Sequence, residues 1–399
     1  MSSIPPSRLR LLSAAVALLA CACARAEISD TIHPYVAIGY TYDDNLLRLP
    51  DNITGVTQRS DTITQAQAGL IVDRPIGRQR LTGSAKVSRV TFNHYDELDY
   101  NGKDFRGDLA WQLGNRFSGN LGGNYQQTLT PFTDFHTSDR NLRVQRQAYF
   151  NGAWRFHPSW QLRGGQTRTR FEYELLAQSV NNREETLSEF GFDYLAPSGS
   201  RIGLVARRFE GEYVNPLLSS GIRRDGYTQD ELKANVNWQF SAVTQVQVLA
   251  GYVRRNYEVF SNRDSSGPNG RVTVRWAPLN KVKFTVDGWR NFAAVESAIV
   301  SNSLNTGGSV AATWSISSKL QANASLRRER REFEELRTAV NDRDLTDRTR
   351  GATLGLTYAP TLSSQLSLSG FRDNRDGNSV LRTSSYRAKG LSFNASVQF

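Results

Sequence analysis

Sulfur and histidine are scarce in this chain: two Cys, one Met and four His among 399 residues. Both cysteines, Cys21 and Cys23, lie near the N-terminus, and the methionine is Met1. That excludes a disulfide scaffold and leaves too few soft ligands for the usual zinc sites. Long hydrophobic runs are lacking too. Beyond the N-terminus no stretch approaches the ~18 apolar residues that cross a bilayer as a helix. Hydrophobic residues make up only 39%, yet the chain carries 19 Phe, 15 Tyr and 7 Trp. So many aromatics need an apolar environment, which excludes disorder and leaves one large β protein or two smaller ones.

The N-terminus has its own pattern. Arg8 and Arg10 precede an apolar run, Leu11 to Ala20, and Ala24-Arg25-Ala26 offers a small-residue cleavage site before Glu27. This predicts a signal peptide over residues 1–26 and a barrel domain over 27–399. The rival is a lipoprotein site at Leu18-Leu19-Ala20-Cys21, with Cys21 acylated. Cleavage after Ala26 removes both Cys, Met1 and three Arg (Arg8, Arg10, Arg25), so the net charge falls from +11 to +8.

From about His33 the dominant signal is period 2. Leu232, Ala234, Val236, Trp238 and Phe240 interleave with Glu231, Lys233, Asn235, Asn237 and Gln239. Val282, Phe284 and Val286 do the same with Lys281, Lys283, Thr285 and Asp287. Strict alternation sets one strand face in an apolar medium and the other against polar material. Short turns recur at Asp73–Gly77, Gly114–Arg116, His157–Ser159, Pro197–Ser200, Ser241–Val243, Pro278–Asn280, Ser317–Ser318 and Pro360–Ser363. Longer polar loops alternate with them, among them Asp43 to Arg59, Thr130 to Asp139 and Glu335 to Thr346. The count from Tyr35–Tyr42 to Thr383–Phe399 is eighteen strands, eight short turns and nine long loops. An even number of alternating strands with segregated loop lengths predicts an all-β, antiparallel transmembrane barrel of the Gram-negative outer membrane. Lipid requires the sheet to close, because an open edge would leave backbone groups unpaired there. The last strand ends on Leu391, Phe393, Ala395, Val397 and a terminal Phe399, which resembles the insertion signal of bacterial outer-membrane proteins.

Charge sorts by face and height. On seven strands leaving short turns the outward phase ends in an arginine near the long loop: Arg89, Arg168, Arg208, Arg254, Arg290, Arg328 and Arg372. Guanidinium forks at that height could hold lipopolysaccharide phosphates as a collar, or simply end the strands in water. The inward phase is rich in amides and cations. Lys233, Asn235, Asn237, Arg271, Arg275, Lys281, Lys283, Asp287, Arg327 and Arg331 are the expected lumen-lining set. Its positive excess favours anionic solutes, set against mutual pairing of charges in any polar lumen.

No catalytic residues, metal site or cofactor are expected. His33, His94, His136 and His157 are scattered; Asp134-Phe135-His136 in a long loop is a weak pair. Lys and Arg occupy both strand faces, which does not point to nucleic acid.

The segment Tyr40-Thr41-Tyr42-Asp43-Asp44-Asn45-Leu46-Leu47-Arg48 closes the first strand. It resembles the opening of the EpsL-type exopolysaccharide-biosynthesis outer-membrane proteins, found beside exosortase and polysaccharide clusters. The resemblance implies a conduit for secreted polysaccharide working with periplasmic and inner-membrane export machinery, and brings no catalytic residues. By itself, Asp43-Asp44-Asn45 reads as a turn cap or a cation site. Two other functions fit the barrel: a diffusion porin for small anionic solutes, and a structural or adhesive surface barrel with a plugged lumen.

Overall fold

The computed structural model describes residues 31–51, 58–214, 226–259, 261–295, 302–333, 345–378 and 383–399. The expected signal peptide lies outside the described residues. The strands are β1 (Ile32–Asp43), β2 (Asp61–Ile76), β3 (Gln79–Phe92), β4 (Tyr100–Leu113), β5 (Phe117–Leu129) and β6 (Leu142–His157). Next come β7 (Trp160–Tyr173), β8 (Arg183–Leu195), β9 (Arg201–Tyr213), β10 (Tyr227–Ser241), β11 (Thr244–Tyr257) and β12 (Ser265–Leu279). The last six are β13 (Val282–Ala294), β14 (Asn302–Ser315), β15 (Leu320–Glu332), β16 (Thr346–Tyr358), β17 (Ser364–Asp376) and β18 (Tyr386–Gln398). Each pairs antiparallel with its sequence neighbours, and β1 pairs with β18 from Tyr35–Gln398 to Asp43–Gly390. The sheet of eighteen strands is therefore closed, as the alternation requires.

All eight short turns fall at one end. In three of them a glycine takes positive φ: Gly77 (62°), Gly114 (61°) and Gly199 (83°). That backbone region costs a side chain about 1–2 kcal/mol, which glycine avoids.

The outward phase is an exposed apolar belt. Leu354 is 69% exposed, Leu326 64%, Leu232 60% and Phe190 59%, values that only a lipid environment makes favourable over so wide a band. Towards the short turns the belt ends in rings. Trp160 stacks on Phe192 at 5.0 Å and meets Tyr194 edge-on at 5.0 Å. Trp238 meets Phe240 at 4.9 Å, Trp276 stacks on Phe284 at 5.4 Å, and Phe117 stacks on Trp154 at 5.9 Å. With Trp111 and Trp314 these form an aromatic girdle at the membrane–water boundary, where one side of a ring is dry and the other wet. The girdle marks the short-turn end as one interface and leaves the long loops on the far side.

A buried apolar cluster lies at the long-loop end. Leu46 and Leu47 from the β1–β2 loop pack with Val90 and Phe92 on the inner face of β3 and with Leu98 from a single 3-10 turn, Asp96–Leu98. Ile63, Tyr100, Leu129 and Phe132 close around them. Each fully buried leucine there contributes about 1.5–3 kcal/mol. Asp61 ties the two loops together: its carboxylate accepts backbone N–H bonds from Thr62, Asn93, His94 and Tyr95.

Candidate functional site: the lumen and its extracellular strap

The expected lumen set can be placed residue by residue. Lys233, Asn235 and Asn237 on β10, Arg271 and Arg275 on β12, Lys283 and Asp287 on β13, and Arg327 and Arg331 on β15 share the inward phase. Lys281 departs from the expectation: it sits in the β12–β13 turn, at the mouth of the barrel, because β13 starts only at Val282. Few of these groups are free. Lys233 is buried against Glu231 (2.8 Å) and Asn269 (2.9 Å). Arg271 grips Asp287 at 2.9 Å, with Thr273 donating to the same oxygen at 2.6 Å. Arg327 pairs with Glu329 at 2.8 Å, and the Trp289 indole donates to that carboxylate at 2.8 Å. The Trp289 ring lies flat on the wall because Gly307 has no side chain, and a Cβ there would stand 2.7 Å from the ring. Arg327 covers its other face, 4.6 Å from the ring centroid. The wall is thus a set of neutralised pairs with a few cations in excess, such as Lys283 and Arg275. Elsewhere on the inner face a recess of about 570 Å³ is lined by Asn120, Asn151, Gln161, Arg163 and Arg201, among others.

The Asp43–Arg48 segment is a turn. Asp43 accepts from the Asn45 backbone at 3.0 Å and from the Arg48 guanidinium at 2.8 Å. The Asn45 side chain donates to Leu49 O (2.8 Å) and, across the seam, to Arg387 O (2.9 Å), while its oxygen accepts from Leu49 N. Asp44 accepts from Lys389 N at 2.7 Å. Arg48 sits at φ 57°. Asp43, Asp44 and Asn45 all bond to the protein itself, which supports the cap reading over the cation reading. What the motif achieves is to turn Leu46 and Leu47 inward.

That placement positions a second loop. Residues 130–141 leave the rim at β5 and β6, whose ends stay together through Thr130 N and Asn141 O at 2.9 Å. Phe132 packs on the Leu46–Leu47 cluster, and His136 Nδ1 lies 2.9 Å from Leu47 O. A carbonyl can only accept, so the His136 proton sits on Nδ1. Burial pushes this histidine below its ordinary value, and Arg375 nearby adds to the shift, so the ring is neutral at pH 7. Between these anchors Asp134 reaches the inner faces of β15, β16 and β17, which lie eight, seven and six positions from β5 counted through β1. Arg331 donates to both Asp134 oxygens, at 2.9 and 3.1 Å, and Arg375 donates at 3.1 Å. Arg375 also bonds Thr133 O. Behind them Asp347 accepts from Arg331 at 2.8 and 2.9 Å and from Arg375 at 2.6 Å. Burial alone would raise the Asp134 carboxyl, but the two guanidiniums hold it below its ordinary value. The contact is therefore present at neutral pH and is lost only as pH falls through that lowered value. The loop is a strap across the extracellular mouth, latched by two arginines and two aspartates.

Asp134 and His136 thus serve separate anchors and do not form a reacting pair. Sequence reading named Arg331 as a lumen residue but missed Asp347, Arg375 and Trp289. The available signal was their inward phase, with Asp347 and Arg375 at the long-loop ends of adjacent strands.

The seven outer arginines all occupy the outward phase at the long-loop end of their strands. Arg89 pairs with Asp99 (3.2 Å), Arg168 with Glu184 (2.5 Å) and Arg208 with Glu210 (3.1 Å). Arg254 bonds Asn256, and Arg290 bonds Pro268 O. Arg328 and Arg372 stand in the same row, opposite Gly308 and Ala352.

Comparisons agree with this architecture. The family model described as "Putative beta-barrel porin 2" matches residues 211–399. No curated protein matches the chain. Among solved structures, the Pseudomonas aeruginosa outer-membrane protein OpdK is similar with a TM-score of 0.51 at 9% identity, covering 93% of this chain and 99% of its own. P. aeruginosa OccK9 (OpdG) gives 0.50 at 11% identity over 94% and 100% of the two chains. P. aeruginosa OccK2 (OpdF), solved in complex with glucuronate, gives 0.50 at 9% identity over 93% and 98%. At such identities the likeness is one of fold. The chain is a closed, eighteen-stranded, porin-like barrel that crosses the outer membrane with its strands.

Proposed function

We propose that this barrel is a diffusion channel for small hydrophilic anions, conducting without chemical conversion. The observation that carries the reading is a polar inner wall of amides and paired charges with cations in excess, in a barrel wide enough for water. Barrels of 16–18 strands leave an aqueous channel. Amide and hydroxyl groups exchange hydrogen bonds with a passing solute without trapping it, and surplus guanidinium raises the local anion concentration. The lumen residues named from sequence, from Lys233 to Arg331, would act through this field more than through individual binding. The neighbour holding glucuronate supports a sugar acid as a probe. Purified protein in planar bilayers under a KCl gradient should show a reversal potential of anion-selective sign. A cation-selective sign would reject the reading.

Passage of a secreted polysaccharide is the second reading, favoured by the Asp43–Arg48 opening and its resemblance to the EpsL-type proteins. It requires export machinery on the periplasmic side and a strap that swings clear of a polymer. Deleting the gene and measuring polysaccharide outside the cell and in the periplasm separates the two. Loss outside with retention inside supports export, and no change in either place leaves the diffusion channel.

The outer arginines would hold lipopolysaccharide phosphates where their acidic neighbours leave donors free. Changing Arg254, Arg328 and Arg372 together to Gln should lower the lipopolysaccharide that copurifies. Equal retention would assign these residues to strand ends in water.

A further inference from the structure

We propose that Arg331 and Arg375 form an anion-binding site that the strap carboxylate of Asp134 occupies as a tethered stand-in, and that a solute carboxylate opens the channel by replacing it. The inference rests on the anion-channel reading and adds a gate to it. Three observations carry it.

First, the contact has the geometry of ligand recognition. Arg331 offers a two-point fork to one carboxylate, and Arg375 adds a third donor to the same group. Second, the two acids of the cluster are not equivalent. Asp347 and Arg375 are completely buried, whereas Asp134 keeps 16% of its side chain exposed and belongs to a loop. Asp347 is the fixed counter-charge; Asp134 is the exchangeable one. Third, the charge count favours exchange over simple loss. With the strap in place two guanidiniums face two carboxylates. Without Asp134 the site keeps one uncompensated positive charge, and even with Asp134 in place Arg375 Nε has no hydrogen-bond partner among the described residues. A buried guanidinium without its counter-charge is costly, so the open form is itself a receptor for an anion. A solute with differential affinity for that open form shifts the strap equilibrium towards it. The strap need not unfold, because Phe132 and His136 keep it on the β1–β2 loop while Asp134 lets go.

The test uses the full chain in planar bilayers, with gluconate as probe and sorbitol as the same polyol without the carboxylate. Gluconate should raise wild-type open time by about tenfold, the effect of a ~1.4 kcal/mol difference between shut and open forms, and sorbitol should not. Asp134→Asn should be open without gluconate and gain nothing from it. Arg375→Gln should lose the response to gluconate, and Asp134→Glu should keep it. Heat-modifiable gel mobility identifies variants whose barrel has closed, and only those are compared. A gluconate response that survives in Arg375→Gln, or an Asp134→Asn channel that gates like wild type, overturns the proposal. If the wild type is anion-selective but indifferent to gluconate, the gate fails and the channel reading stands. If it is cation-selective, the channel reading fails on its own measurement.

Discussion

Excising residues 131–140 and joining Thr130 to Asn141 through an Asn-Gly turn should raise single-channel conductance severalfold without unfolding the barrel. The two joined residues already exchange a backbone hydrogen bond at 2.9 Å, so the shortened connection starts from a closed hairpin end. Asn-Gly supplies the positive φ values that a two-residue hairpin turn needs. None of the excised residues belongs to a strand ladder, so every pair that closes the barrel survives. What is lost is the bar across the mouth: Phe132 on the leucine cluster, His136 on Leu47 and Asp134 on the far wall. The Arg331–Arg375–Asp347 group then faces water and gains solvation in exchange for its lost partner. Unchanged conductance in a properly closed barrel would mean that the strap does not obstruct the path and that the narrowest point lies deeper.

A single arginine at position 354 should be far more damaging than the same residue one position earlier. Leu354 lies mid-strand in β16, outward and 69% exposed, opposite Ala324 and Gly370. A guanidinium facing lipid near mid-membrane costs about 2–4 kcal/mol, a large share of the stability of any single barrel. Thr353→Arg turns the same group into the hydrated lumen, where Ser325 and Phe371 are its neighbours across the ladder and no lipid is met. Denaturant titration in liposomes should therefore show a clear loss for Leu354→Arg and a small one for Thr353→Arg. Equal losses would show that the outward phase of β16 is not in lipid.

The strands, their number and the side of each turn followed from the amino-acid order because each rests on local rules. Alternation sets the face of every residue, and a one-residue slip would send the whole Leu232–Phe240 set to the wrong side. Closure followed as well, since lipid leaves no alternative to pairing β1 with β18. The inward phase of the wall residues was legible for the same reason, and Lys281 falls outside it because β13 starts one residue later than the alternation suggests.

The strap was not legible. Asp134 and its partners are separated by some two hundred positions in the chain, and no periodicity links a loop acid to arginines on strands six and eight places round the barrel. That Asp43-Asp44-Asn45 caps a turn could be expected from residue type. That this turn buries Leu46 and Leu47 and holds His136 by the Leu47 carbonyl depends on a cluster assembled from several loops and strands. The sequence by itself determined the barrel, its faces and its membrane, because a strand's medium is written in every second residue. Only the tertiary structure decided how the mouth is barred, because buried charge selects partners by distance and desolvation once the ring has closed.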